Sequence, residues 1–260
     1  MKQKTAIVTG GYGAIGRAIA EGLAAKSYRV VLIGRNQDRL KETVQDLVNK
    51  TGNERIEFFA LDLSRKKEVE SFAKNWDAPL HLLVNNAATT PRSREETPEG
   101  IEMQFATNVL GYFWMVKFLY PYMEGQDDAR IVNVASYWSG GLNLDDVETK
   151  NGIYDNDDVY RKCKQADRML SAAFAERLRD KNISVLACHP GDVRSKLSSD
   201  LGHGGWESPE QGADTPLWCA TAPELKGVTG KYYEHRSENK CRFAEDKNAV
   251  EKLVSICEKY

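Results

Sequence analysis

Tyr160 and Lys164 stand four positions apart, a spacing that puts both side chains on one face if the segment is helical. A tyrosine can exchange a proton with a reacting oxygen near neutral pH only if its pKa, about 10 in free solution, is pulled down. An ammonium one turn away does this by Coulomb attraction. Ser136 follows the apolar run Val134-Ala135, where a hydroxyl can hold a substrate oxygen close to the tyrosine. Asn108, inside an apolar helical pattern, can anchor a water leading to the lysine; taken alone it reads rather as an ordinary surface asparagine within a helix. Four such groups in one place would pass a proton to or from a carbonyl or alcohol oxygen while a hydride moves.

The hydride needs a carrier, and the N-terminal end offers a place for one. An apolar run over Thr5–Val8 enters Thr9-Gly10-Gly11-Tyr12-Gly13-Ala14-Ile15-Gly16, and a helical pattern follows. Glycines let a backbone turn tightly and approach a pyrophosphate, and the helix start presents amide groups and a partial positive charge to it. The second apolar run ends Ile33-Gly34-Arg35-Asn36, without the carboxylate that would meet a free ribose hydroxyl. Arg35 can pair with a 2′-phosphate, with Arg39 or Arg17 assisting, so NADP(H) is expected over NAD(H). Asp62, in Leu61-Asp62-Leu63, either accepts from an adenine amine or caps the helix starting near Ser64. Asn86 and Ala87, in Asn85-Asn86-Ala87-Ala88, close the fourth run, where a side-chain amide either fixes a ribose or ties adjacent strands.

The elements that must position these groups alternate. Thr5–Val8, Arg29–Ile33, Ile56–Leu61, Leu80–Val84, Arg130–Val134 and Ile183–Ala187 read as buried strands. Arg17–Lys26, Asp38–Lys50, Lys66–Asn75, Met103–Met123 and Tyr160–Arg179 read as amphipathic helices between them. This alternation predicts βαβ units: a doubly wound parallel sheet of Rossmann type, three layers α/β/α, with its ligand beyond the carboxyl ends of the strands. The expected organisation is one domain over residues 1–260. Residues 139–158 read as a solvated acidic loop, and a glycine-rich lid is expected around 196–212, ending in the capping box Ser208-Pro209-Glu210-Gln211. Trp138 and Trp206 are candidate walls of an apolar substrate pocket, or simply packing aromatics.

In this order the motifs resemble the short-chain dehydrogenase/reductase family over nearly the whole chain: glycine turn, Asp62, Asn-Asn-Ala, Asn108, Ser136, Tyr-x-x-x-Lys, then Pro190-Gly191-Asp192-Val193-Arg194-Ser195. The resemblance implies that Asn108, Ser136, Tyr160 and Lys164 form a catalytic tetrad. It implies that Lys164 binds the nicotinamide ribose, that Pro190, Gly191 and Val193 lie against the nicotinamide, and that Ser195 lies at its carboxamide. The cofactor set it implies is Gly10, Tyr12, Gly13, Ile15, Gly16, Arg35, Asn36, Asp62, Leu63, Asn86 and Ala87, with Tyr160 and Lys164. Glu102-Met103-Gln104-Phe105, Arg130-Ile131-Val132-Asn133-Val134, His189-Pro190-Gly191 and Gly227–Tyr233 are similar to the retinol-dehydrogenase-like branch. That branch implies retinal, sterols or other lipophilic carbonyls as substrates. Gly13 and Ala14 depart from the usual T-G-x-x-x-G-x-G turn and are similar instead to epimerase-like members; length and the Asn-Asn-Ala run argue against that branch. A dinucleotide-holding sensor without turnover is the other alternative, and the complete tetrad argues against it.

Composition sets the context. The 260 residues carry 36 basic and 38 acidic side chains, net −2, which gives no reason to expect nucleic acid or an anionic membrane as partner. The chain contains five cysteines without C-x-x-C pairing and four scattered histidines without metal spacing. A cytoplasmic protein without metal, leader or membrane anchor is expected, acting on a small molecule. A homodimer through the helices Met103–Met123 and Tyr160–Arg179 is also an expectation, with the acidic insert placed to obstruct it.

Overall fold

A computed structural model describes residues 3–260. One eight-stranded sheet runs in the order β3-β2-β1-β4-β5-β6-β7-β8. Its strands are β1 (Thr5–Thr9), β2 (Arg29–Gly34), β3 (Ile56–Ala60), β4 (Leu82–Asn85), β5 (Ala129–Val134), β6 (Ile183–His189), β7 (Lys231–Glu234) and β8 (Ser237–Asn239). The first seven are parallel and β8 returns antiparallel against β7. The six expected strands are all present, within two residues of their expected ends; β7 and β8 were not anticipated. β8 is short and exposed throughout, so it carries no apolar alternation to read.

Side chains alternate across the buried strands and feed two separate cores. Ile7, Val31, Ile33, Leu83, Ile131 and Val185 point to one face, where α3 (Lys66–Lys74), α4 (Gly111–Leu119), α5 (Asn156–Arg177) and α8 (Lys247–Cys257) cover them. Ala6, Val8, Val30, Leu32, Val84, Val132 and Leu186 point to the other, under α1 (Ala14–Ala25), α2 (Gln37–Thr51) and α7 (Pro209–Thr221). This is the expected doubly wound, three-layer arrangement. The strand order reverses between β1 and β4, so a crevice opens beyond their carboxyl ends. Among the described residues no helix is long and apolar enough to cross a membrane.

Two helices differ from their expected form where they approach that crevice. Met103–Met123 is not one α-helix: Phe105–Leu110 is a π-helical turn, α4 follows, and a 3-10 turn at Tyr120–Tyr122 accommodates Pro121. The π turn carries Asn108. The helix bearing Tyr160 begins four residues before it, at Asn156, because the Asp155 side chain accepts from the Asp158 amide at 2.8 Å. Three acids of the expected solvated loop are therefore a cap and a first turn, where negative charge favours the helix dipole. Glu148, also read as solvated, is buried and accepts from the Glu102 amide and the Tyr260 hydroxyl. The 196–212 stretch holds α6 (Lys196–Asp200), a glycine loop and the start of α7, whose Ser208 and Gln211 make the expected capping box.

Candidate active site

The crevice has two arms. The first, about 540 Å³, is lined by Gly10, Tyr12, Gly13, Ile15 and Gly16 of the β1–α1 turn, by Arg35 and Arg39, and by Asp62, Leu63, Asn86, Ala87 and Ser195. Gly10 has φ +67°, and a Cβ there would lie 2.9 Å from the Ala87 Cα. A methyl on Gly16 would overlap the Gly10 carbonyl oxygen. The turn is thus packed against the end of β4. Thr9 Oγ1 accepts from the amides of Asn86 and Ala87 at 2.9 and 3.1 Å, and the Asn86 side chain donates to the Thr9 carbonyl at 2.9 Å. Of the two roles open to Asn86, the structure shows the strand tie. No side chain caps α1 and no acid lies in its first turn, so its leading amides and partial positive charge are left to the crevice.

Arg35 and Arg39 stand at the outer end of this arm, exposed, and among the described residues neither is paired with a carboxylate. The Arg39 guanidinium stacks 4.5 Å from the Tyr12 ring centre. Arg17 is diverted to Asp46 of α2 at 3.3 Å, so it does not assist them. Asn36, expected among the cofactor residues, does not line the crevice. Its side chain caps α2, accepting from the Arg39 amide at 2.9 Å. Asp62 Oδ1 accepts from the amide and hydroxyl of Ser64 at 3.0 and 2.8 Å, a turn ahead of α3 rather than its cap, since α3 starts at Lys66 with Arg65 at its N-cap and no side-chain cap; the residue still lines the arm.

The second arm, about 360 Å³, is lined by Ser136, Trp138, Tyr160, Pro190, Gly191, Val193, Leu197, Leu201 and Trp206. Ile15, Ser195 and Leu197 line both arms, so the two meet there. Ser136, at the end of β5, accepts from the Trp138 amide at 3.0 Å. Burial raises the Tyr160 phenol above its ordinary pKa, while the charge of Lys164 and a hydrogen bond with Ser136 pull it down. Burial outweighs the lysine. Lys164 itself lies beneath the floor, buried, its Nζ donating to the Val134 carbonyl and to Asp167 Oδ2, each at 2.9 Å. Asn108 is fully buried, and its amide exchanges both hydrogen bonds with the Thr89 backbone at 2.8 and 3.0 Å. The structure thus brings Ser136 and Tyr160 to the surface of the crevice, with Lys164 and Asn108 behind it.

The rim of this arm is loosely built. Trp206 is 87% exposed and Trp138 40%. His203 packs 5.4 Å from Trp138 and meets Asp157 of α5 at 3.3 Å, linking the glycine loop to the helix that carries Tyr160. His189 at the floor is buried with Nδ1 unpartnered; burial pushes its pKa down to about 3, so it is a neutral lining group. Gly191 has φ +97° and leaves room for the Glu207 carboxylate, which a methyl would displace. Asp157, His189, Leu197, Leu201 and His203 were not anticipated as lining residues. Leu197, Leu201 and His203 do fall inside the expected lid around 196–212, Asp157 inside the expected acidic loop, and His189 inside the motif His189-Pro190-Gly191.

Comparison with known proteins places this geometry. The family model for short chain dehydrogenase matches residues 4–204. A Streptomyces antibioticus protein named "Probable oxidoreductase" is 34% identical over 256 residues, covering 90% of this chain and 86% of that one. Retinol dehydrogenase 13 of Mus musculus is 29% identical over 271 residues, covering 96% of this chain and 81% of its own. The crystal structure of an uncharacterized protein from Mycobacterium paratuberculosis superposes with a TM-score of 0.84 at 24% identity, over 99% of this chain and 92% of that one, a likeness of fold. The chain belongs to the short-chain dehydrogenase/reductase family. It is an NAD(P)-dependent oxidoreductase of that family, with retinol-dehydrogenase-like relatives.

Proposed function

We propose that the protein reduces a lipophilic aldehyde or ketone with NADPH, and that Asn108, Ser136, Tyr160 and Lys164 serve the chemistry. The observation that carries this reading is the junction of the two arms at Ile15, Ser195 and Leu197, with Ser136 and Tyr160 facing the apolar one. When bound, the dinucleotide supplies the hydride. The glycine turn and the uncapped start of α1 hold its pyrophosphate, and Pro190, Gly191, Val193 and Ser195 border its nicotinamide end. Ser136 Oγ holds the substrate oxygen beside Tyr160, whose phenolic proton passes to that oxygen as the carbonyl carbon is reduced. Lys164 stabilises the tyrosinate left behind. Asn108 fixes the Thr89 backbone at the mouth of the cofactor arm.

Arg35 and Arg39 support NADP(H) over NAD(H): two guanidinium groups without carboxylate partners end the arm, and a 2′-phosphate is the dianion that suits them. The apolar walls Val193, Leu197, Leu201, Trp138 and Trp206 support a lipophilic substrate, and the loop bearing Trp206 serves as a lid. Among the charged residues of this arm are Asp157 and Asp192 but no lysine or arginine, which disfavours anionic carbonyls. The test is a panel of neutral, anionic and short or long-chain carbonyls assayed with NADPH and NADH. Higher kcat/KM with NADPH on long neutral carbonyls is expected. A preference for NADH, or activity confined to small anions, overturns the corresponding half of the reading. Tight cofactor binding with no carbonyl reduced would favour the sensor.

A further inference from the structure

Beneath Tyr160 lies a carboxylate for which the reduction scheme has no use. Asp167 of α5 is completely buried, and its Oδ2 accepts from Lys164 Nζ at 2.9 Å. Its Oδ1 has no partner. Lys164 Nζ lies 5.0 Å from the Tyr112 ring centre and 5.7 Å from that of Tyr160, and Tyr112 donates to the same Val134 carbonyl at 3.3 Å. An ammonium, a carboxylate and the Tyr112 phenol thus share one water-excluded space, and the half-buried Tyr160 phenol borders it from the crevice. The other titratable groups near it are the thiols of Cys163 in α5, Cys188 in β6 and Cys257 in α8, all held neutral by burial. Arg168, next along the helix, is directed elsewhere, its guanidinium 3.6 Å from the Tyr232 ring centre.

We propose that Asp167 is a positioning residue that keeps Tyr160 protonated, so that the catalytic pair is held ready to donate a proton rather than to accept one. The proposal rests on the reading of Tyr160 as proton donor. A lysine with no counter-charge pulls a neighbouring phenol strongly toward ionisation. With Asp167 ionised the buried group is neutral overall, and losing the phenolic proton makes it an anion in a poor solvent for charge. Without Asp167 the group is a cation, and the same loss makes it neutral. The first proton loss therefore moves to lower pH when Asp167 is neutralised, whichever member of the coupled set bears the vacancy. Burial raising the Tyr160 pKa despite the adjacent lysine agrees with this. The hydrogen bond from Lys164 to Asp167 also fixes where the ammonium stands before the cofactor arrives.

The test is a titration of the full chain labelled with [ζ-13C]tyrosine, with and without NADP+, the Tyr160 resonance being assigned from Tyr160→Phe. In the wild type Tyr160 is expected to stay protonated to about pH 9 or above, and in Asp167→Asn its midpoint is expected to fall by about one pH unit or more. The falling limb of kcat/KM for carbonyl reduction should move with it, and Asp167→Glu should restore both. An unshifted Tyr160 midpoint in Asp167→Asn, with kcat lowered equally at every pH, overturns the proposal and leaves Asp167 a structural counter-ion. Neutralising one member of a buried pair can prevent folding. In that event the wild-type titration still tests the proposal: a Tyr160 midpoint well below about 9 means that neither Asp167 nor burial offsets the lysine, and overturns it. The titration needs no turnover, so an inactive carbonyl panel would sink the proposed reaction without touching this result.

Discussion

The two arms of the crevice are built from different materials. The cofactor arm is backbone at the carboxyl edge of a buried sheet: Gly10 against Ala87, Thr9 tied to Asn86, and the start of α1 set by the glycine turn. The substrate arm borrows its floor from β5, α5 and the β6 end, but its outer wall is a glycine loop joined to the body through the Val193–Glu207 bridge and the His203–Asp157 contact. A close-packed edge tolerates little change in shape, whereas a loop with exposed aromatics tolerates much. One scaffold can therefore keep the same hydride donor while its carbonyl varies. Substitutions in the first arm should alter cofactor binding and stability, and those in the second should alter the choice of substrate.

The largest expected effect lies at the floor of the second arm. Tyr160→Phe removes the proton donor and keeps the ring, so kcat/KM for carbonyl reduction should fall about 10²–10⁴-fold while the dinucleotide Kd is unchanged. Equal loss of cofactor binding would mean that the phenol belongs to the first arm. Gly16→Ala is next. Its methyl meets the Gly10 carbonyl and the Asn86 amide, both fixed by backbone contacts, and overpacking of this kind costs about 1–3 kcal/mol. Denaturant unfolding should show that loss and calorimetry a weaker dinucleotide Kd, whereas the same change at Gly204, with open space around it, should do neither. Arg35→Ala should lower the ratio of kcat/KM for NADPH over NADH about tenfold, the worth of one charge-assisted contact. If the ratio holds, Arg39 carries the discrimination, and the double variant will show it.

The same contrast governs what could be read from the sequence. The glycine turn was legible because a positive φ and a methyl-free approach are local demands with a local residue signature. The alternating strands were legible because burial on both faces leaves near-continuous apolar runs. Asn36, read as a cofactor residue because it closes a strand, also precedes a helix, and its side chain is the cap of that helix. The start of α5 was missed for a related reason: Asp155, Asp157 and Asp158 have the composition of a solvated loop, and only the Asp155 hydrogen bond separates a cap from a loop. Asp167 gave no signal, since an acid three positions after a lysine reads as an exposed helix pair. Its meaning comes from complete burial by α4, α8 and the sheet, which no local pattern reports. His203 and Leu201 reach the substrate arm through a loop whose path depends on tertiary contacts, and glycines do not specify a path.

The smallest effect tests the second arm at its least anchored point. Trp206 is 87% exposed, so Trp206→Ala removes almost no buried surface, and the unfolding midpoint should not move. If the loop closes over a bound carbonyl, the indole becomes buried only in the complex. Its loss should then raise KM for long-chain substrates about fivefold, roughly the worth of 1 kcal/mol of apolar contact, with kcat and the NADPH Kd unchanged. A carbonyl too short to reach the rim should be indifferent to the substitution. This dependence on length distinguishes a lid from an ornament. A tryptophan that packs only on its own loop gives the same KM for both substrates, whereas one that covers the ligand separates them in proportion to the chain it can touch.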